Sequence, residues 1–411
     1  MKKKLVLLLT LFISSAFAQT PTVQTGIEVL RQRGFDILKG KRVGLITNPT
    51  AVDASLRSTV DILAGAPGVK LVALFGPEHG VRGEFAAGDV VGTTTDPKTG
   101  VTAYSLYGQN RKPTREMLRD IDMLVYDIQD IGCRSYTYIS TMGLAMEAAA
   151  DARIPFVVLD RPNPLGGIRI EGNVAEPGFF SFIGQFPIPY VYGLTCGELA
   201  KLLNGEKMLS GGARCSLMVV PMKGWKRAMT FQQTGLPWVP TSPHIPMETS
   251  PAFYVATGVL GELGVISEGV GYPIPFRVFA APWINPYAMA DAMNELKLPG
   301  YRFRPIIFKP FYGRMKDSTL YGVQIHCTNE KAAELMPLQF RFCEVHNRLY
   351  PERNPFKIAG SSRLGSFDRA AGTDRVRALF SESMKYSDIQ EYLTKDIAPF
   401  RETSRRYYLY R

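Results

Sequence analysis

Three short stretches of this chain gather the side chains that acid–base chemistry needs. In Gly76-Pro77-Glu78-His79-Gly80-Val81-Arg82-Gly83-Glu84, glycines and a proline bend a turn that carries carboxylates, an imidazole and a guanidinium. A carboxylate in such company can be tuned as a general acid/base, which makes Glu78, His79 and Arg82 candidates. In Tyr126-Asp127-Ile128-Gln129-Asp130-Ile131-Gly132-Cys133-Arg134-Ser135-Tyr136-Thr137-Tyr138, two acids precede an arginine and two tyrosines. Arg134 can pair with Asp127 or Asp130, or clamp an anionic group bidentately, and Tyr136 and Tyr138 can stack on a sugar face. In Asp160-Arg161-Pro162-Asn163-Pro164-Leu165-Gly166-Gly167, prolines fix the backbone on both sides of Asn163 and hold its amide rigidly. Further along, Trp238 to Pro246 offers an aromatic platform, and Glu268 stands between Ser267 and Gly269 in an apolar neighbourhood. Each stretch also has a purely architectural reading. The first can be a polar turn closed by its own hydrogen bonds, the second an ion pair in an aromatic core, the third a tight turn, and Trp238 a loop anchor.

The elements that must position these residues alternate. Apolar runs at Arg42–Asn48, Lys70–Phe75, Met123–Asp127, Pro155–Asp160 and Ser216–Pro221, with a weaker one at Thr102–Leu106, read as strands. Helical patterns at Ser55–Leu63, Thr141–Ala152 and Thr195–Leu203, and the start of one at Thr114–Arg119, lie between them. Near-continuous apolar strands joined by helices predict an α/β fold with a Rossmann-like, doubly wound parallel sheet. In such sheets the ligand crevice lies beyond the carboxyl ends of the strands. Asn48, Glu78-His79, Asp127 to Asp130 and Asp160 to Asn163 all follow strands, so one crevice would gather them. Carboxylates grouped with Asn, Arg and aromatic side chains fit glycoside cleavage better than acyl or phosphoryl transfer.

Beyond a loop-rich stretch at 235–290 containing one helix near Ala252–Leu263, the pattern changes. Strands at Arg302–Lys309 and Tyr321–Cys327 and helices at Lys331–Leu349, Val376–Met384 and Asp388–Leu393 predict a second, smaller α+β C-terminal domain. The expected division is residues 22–280 for the first domain and 281–411 for the second.

The first 18 residues are expected to be a cleavable signal peptide. Lys2 to Lys4, the apolar run Leu5–Ile13 and Ala16-Phe17-Ala18 provide its three parts, which places the mature protein in the periplasm or outside the cell. No later segment approaches the roughly 20 apolar residues of a membrane span, so no membrane insertion is expected. The formal charge of +11 is spread without Lys/Arg blocks, which argues against nucleic acid and is compatible with anionic cell-wall material. The five cysteines show no framework spacing and read as buried small hydrophobes, and the four histidines show no zinc spacing. Neither G-x-G-x-x-G after the first strand, nor a Walker pattern, nor G-x-S-x-G occurs, so neither a cofactor nor a serine nucleophile is expected.

Gly-Pro-Glu-His-Gly-x-Arg-Gly at 76–83, Tyr-Asp-Ile-Gln-Asp-Ile-Gly-x-Arg-x-Tyr-Thr-Tyr at 126–138 and Asp-Arg-Pro-Asn-Pro-Leu-Gly-Gly at 160–167 resemble the exo-β-N-acetylmuramidase family. Gly44–Thr50, Asp96–Gly100, Ser105–Gly108, Tyr192–Thr195 and Phe367–Thr373 extend the resemblance over nearly the whole chain. The resemblance implies a glycosidase that removes N-acetylmuramic acid from the non-reducing ends of peptidoglycan fragments, with its site between a Rossmann-like domain and a smaller one. It implies that Glu78 is the general acid/base, supported by His79 and Arg82. Asp127, Asp130, Arg134 and Asn163 would line the pocket, the two aspartates in reach of catalysis or of an acetamido group. Asn48, Tyr136 and Glu268 complete the candidate set. Two stretches depart from the family pattern. Ser-Pro-Asn-Met-Pro is here Ser242-Pro243-His244-Ile245-Pro246, and a stretch with Asn, Arg and a Thr pair is here Glu262 to Pro273, which keeps Glu262 and Glu268. These departures leave two alternatives beside the muramidase: a non-catalytic muropeptide-binding protein, and a glycosidase for a different amino sugar.

Overall fold

The computed structural model describes residues 23–83, 92–108 and 110–411, so the expected signal segment lies outside the described residues. Twelve strands occur among them: β1 (Arg42–Thr47), β2 (Lys70–Gly76), β3 (Thr94–Thr95), β4 (Thr102–Ser105), β5 (Met123–Asp127), β6 (Phe156–Leu159), β7 (Glu171–Val174), β8 (Pro189–Val191), β9 (Leu217–Val220), β10 (Val278–Ala281), β11 (Tyr301–Phe308) and β12 (Leu320–Cys327). Seven form one sheet in the order β3-β4-β2-β1-β5-β6-β9, parallel except for the short edge strand β3. Alternation along the strands explains why both faces are covered. Val43, Leu45, Leu74, Val125 and Val157 meet Ile27, Leu30, Val60 and Leu63 of the helices Gly26–Gln32 and Thr59–Ala64. Ile46, Phe75, Leu124, Tyr126 and Phe156 point the other way, onto Ile139, Met142 and Leu199 of the helices Tyr138–Ala152 and Cys196–Gly205. The doubly wound α/β reading of the sequence therefore holds.

The second core surrounds the antiparallel sheet β10-β12-β11 and the helices Ser250–Gly261, Pro286–Glu295, Leu338–Leu349 and Ser361–Ala371. Helix Ser250–Gly261 and β10 belong to this unit by packing and pairing; the helix lies before the 280/281 division expected from the sequence and β10 spans it. Ile131, Cys133 and Leu165, from the loops after β5 and β6, are buried in this same core, so these loops form the seam between the units. Some helices are shorter than their sequence patterns. Pro337 starts the helix Leu338–Leu349, leaving 331–337 as turns, and the Ser58 hydroxyl caps Thr59–Ala64 by accepting from the Val60 amide. Residues 114–119 form turns rather than a helix. All five cysteines are unpaired, and four are buried. No helix among the described residues is long and apolar enough to cross a membrane.

Candidate active site

Because β2, β1, β5 and β6 are parallel neighbours, their following loops share one edge of the sheet. At that edge lies a cavity of about 220 Å³ lined by Glu78, His79, Tyr136, Tyr138, Tyr254 and His244, among others. This is smaller than the ~300–1,000 Å³ of pockets for drug-sized ligands, and it suits a single ring. Glu78 and His79 enter it from the tight turn after β2. His79 adopts a left-handed backbone conformation (φ 76°) without being glycine, a strained state that the surrounding turn must hold in place. The turn closes through Gly80, whose amide donates to the Pro77 carbonyl at 3.0 Å. Such strain is characteristic of sites where a side chain is aimed for function.

Much of the lining is aromatic. Tyr136 packs edge-on against Tyr138 (4.9 Å between centroids) and Tyr254 (5.9 Å), and Tyr254 packs edge-on against Phe276 (4.9 Å). Hydrogen bonds fix the orientations. The Tyr136 hydroxyl donates to Thr241 Oγ1 at 2.8 Å, Tyr138 donates to the Thr241 carbonyl, and Ser135 shares its hydroxyl with Tyr190 (2.9 Å) and Tyr254 (3.1 Å). Rigid aromatic rings of this kind present apolar faces at little entropic cost. At the rim, His244 stacks on Tyr312 of the second unit, with Nε2 and the hydroxyl 3.0 Å apart. The chain turns closely there: the Phe311 amide donates to the Gly271 carbonyl, and a Cβ on Gly271 (φ 95°) would lie 2.2 Å from the Tyr312 carbonyl oxygen. The two stretches that depart from the family pattern thus meet at this rim.

Of the candidate site residues drawn from the sequence, Glu78, His79, Tyr136 and Tyr138 line this cavity, and Asn48, Arg82, Asp127, Asp130, Arg134, Asn163 and Glu268 do not. Asp127 is fully buried and accepts from both Arg161 Nε and Nη2 and from the Thr59 hydroxyl (2.6 Å). Asn163 bonds the Leu194 carbonyl through Nδ2 and the Leu165 amide through Oδ1, both at 2.9 Å. Arg134 is buried and donates to the carbonyls of Asn173 (2.8 Å), Ile188 (2.7 Å) and Ala371 (2.7 Å), and burial pulls it down to about 10. Arg82 binds Asp96 (2.7 Å) and Asp61 (2.9 Å), which holds the Asp96 carboxyl down near 2.

Two of these polar residues, Asp130 and Asn48, keep unspent hydrogen-bonding capacity. Asp130 Oδ2 accepts from the Gly132 amide (2.7 Å) and the Tyr192 hydroxyl, while Oδ1 is buried without a partner among the described residues. Burial raises this carboxyl to about 6, and its charge in turn disfavours ionisation of Tyr136. Asn48 accepts from the Thr50 amide and hydroxyl, and its Nδ2 is a buried donor that stands beside the Tyr138 hydroxyl. Glu268 lies against Gly261 at the end of the helix Ser250–Gly261, and burial raises it to about 7. The sequence reading did not single out Tyr254, Phe276 or His244 as wall residues. A tyrosine inside the apolar helical run 252–263 was the available signal for the first.

The fold and cavity define a two-domain α/β protein with a carboxylate-bearing, tyrosine-walled pocket at the carboxyl ends of its parallel strands. The chain belongs to the exo-β-N-acetylmuramidase NamZ family, whose N-terminal domain model matches residues 43–249 and whose C-terminal domain model matches 252–410. It is 45% identical over 393 residues to the peptidoglycan β-N-acetylmuramidase NamZ of Bacillus subtilis strain 168, spanning 96% of this chain and 92% of that one. A crystal structure of a DUF1343-family protein from Bacteroides fragilis NCTC 9343 is similar at TM-score 0.91 and 56% identity, covering 95% of this chain and 99% of that one. A second DUF1343-family protein from the same organism is similar at TM-score 0.75 and 27% identity, with the same coverage.

Proposed function

We propose that this protein is an exo-acting β-N-acetylmuramidase, a glycoside hydrolase that releases terminal N-acetylmuramic acid from peptidoglycan fragments. The observation that carries the reading is Glu78, held by a strained turn in a ring-sized cavity that rigid tyrosines also line, in a chain 45% identical to the B. subtilis enzyme. Glu78 gives its proton to the departing glycosidic oxygen as the C–O bond breaks and the sugar passes through an oxocarbenium-like state, and a water then supplies the new oxygen at the anomeric carbon and the proton that restores Glu78. His79 flanks the carboxylate, and the Tyr107 hydroxyl, whose ionisation is disfavoured first by burial and then by the charge and hydrogen bonding of Glu78, stands beside it. Tyr136, Tyr138 and Tyr254 hold the ring. Asp127, Asn163 and Arg134 act at a distance by fixing the loops that carry these groups.

Glu78→Gln keeps the shape of the side chain and removes the proton donor. It lowers kcat on a chromogenic β-N-acetylmuraminide at least about 100-fold with little change in binding, whereas full activity in this variant removes Glu78 from its role. A non-catalytic binder releases no chromophore even from the unaltered protein. We further propose that residues 1–18 direct export and are removed. N-terminal sequencing of the exported protein then begins at Gln19.

A further inference from the structure

The substrate class of the proposed reaction carries a carboxylate on its ring substituent, and removing that charge from water demands a cation. The arginines that the sequence suggests for this are occupied. Arg134 is spent on backbone carbonyls, and Arg82 on Asp61 and Asp96. Lys112 is likewise engaged, with Asp151 at 2.8 Å. Arg111, its neighbour in the chain, is exposed and makes no ion pair among the described residues. Its guanidinium carbon sits 4.5 Å above the centre of the Phe182 ring, and the next residue, Ile183, lines the same cavity as Glu78. From the other side, the charge of Arg111 reaches the Tyr107 hydroxyl, which also feels Glu78. The ring contact with Phe182, next in the chain to Ile183, and the electrostatic reach to Tyr107 set this guanidinium near the Glu78 side of the cavity.

We propose that Arg111, braced on Phe182, is the specificity-determining residue that recognises the carboxylate of an acidic amino sugar and distinguishes it from a neutral one. A guanidinium lying on an aromatic face keeps its N–H edges directed outward in the ring plane, where they can meet a carboxylate bidentately. Bracing also removes side-chain freedom before the substrate arrives, so less ordering is left for binding. This inference rests on the muramidase reading and refines it.

The test uses the purified protein and two aryl β-glycosides, one of N-acetylmuramic acid and one in which the same carboxyl is a primary carboxamide. The expected result is a preference of the unaltered protein for the acid by about 10- to 100-fold in kcat/KM, expressed mainly in KM. In R111Q the ratio collapses to near one, and R111K, which keeps the charge but not the fork, retains part of it. Equal rates of the unaltered protein on both glycosides would overturn the proposal. So would a preference that persists in R111Q, or an equal loss on both glycosides, which is what a merely structural arginine gives. If the unaltered protein cleaves neither glycoside, the muramidase reading itself fails. That outcome is distinct from all the others, because they require turnover.

Discussion

Glu78 and Asp127 are both carboxylates at the ends of parallel strands, yet their surroundings divide their work. Glu78 opens onto a cavity, whereas Asp127 is sealed inside and its oxygens are taken by Arg161 and Thr59. Removing the charge of Asp127 leaves Arg161 buried with an incomplete partner, so Asp127→Asn costs about 3–5 kcal/mol of stability in urea titration. An Asp127 that instead takes part directly in catalysis gives a variant of unaltered stability and greatly reduced kcat. At this scale the sequence showed which side chains are reactive but not which are already engaged. Arg134 and Asn163 look like binding groups in one dimension. Only the fold brings the carbonyls of 173, 188 and 371 around Arg134 and the Leu194 carbonyl onto Asn163.

Among the elements, the loops after β2, β5 and β6 are legible because they follow long apolar strands and are marked by glycine and proline. Gly132 (φ 78°) shows why such marks matter, since a Cβ there would lie 2.2 Å from Asn163 Oδ1 and push the two loops apart. Short elements are less legible. β10 is four residues long and gains its identity from β12, some forty residues later. The helix Leu338–Leu349 carries a buried histidine that reports on the second core. His346 Nε2 accepts from Trp283 Nε1 at 3.0 Å, and burial pulls the imidazole down from its usual 6.5 to about 4. The folded state thus resists a proton that the unfolded chain takes up readily. The stability that follows is complete above about pH 6.5 and is lost as pH falls toward 4, by about 3 kcal/mol. His346→Gln keeps an acceptor without titrating, so the stability advantage of the unaltered protein over it shrinks between pH 7.5 and 4. A difference that stays constant with pH contradicts this.

Over the whole molecule, the two units are tied together by buried polar contacts that cross the seam. Arg134 reaches from the first unit to the carbonyl end of the helix Ser361–Ala371, a favourable place for a cation. The final residues return to the first unit, where Tyr410 donates to Asp160 at 2.6 Å, the Leu409 amide donates to Glu198 at 2.8 Å, and Arg227 lies 3.4 Å over the Tyr408 ring. The second unit supplies Tyr254, Phe276 and Tyr312 to the cavity and its rim, so the site is shared between the two. A single-ring cavity built this way predicts attack from a chain end, one sugar at a time. The most direct test is mass analysis of the products from a defined peptidoglycan oligosaccharide with N-acetylmuramic acid at its non-reducing end. Release of free N-acetylmuramic acid and a chain shorter by one sugar is the predicted result. Internal fragments, or an untouched chain, contradict it.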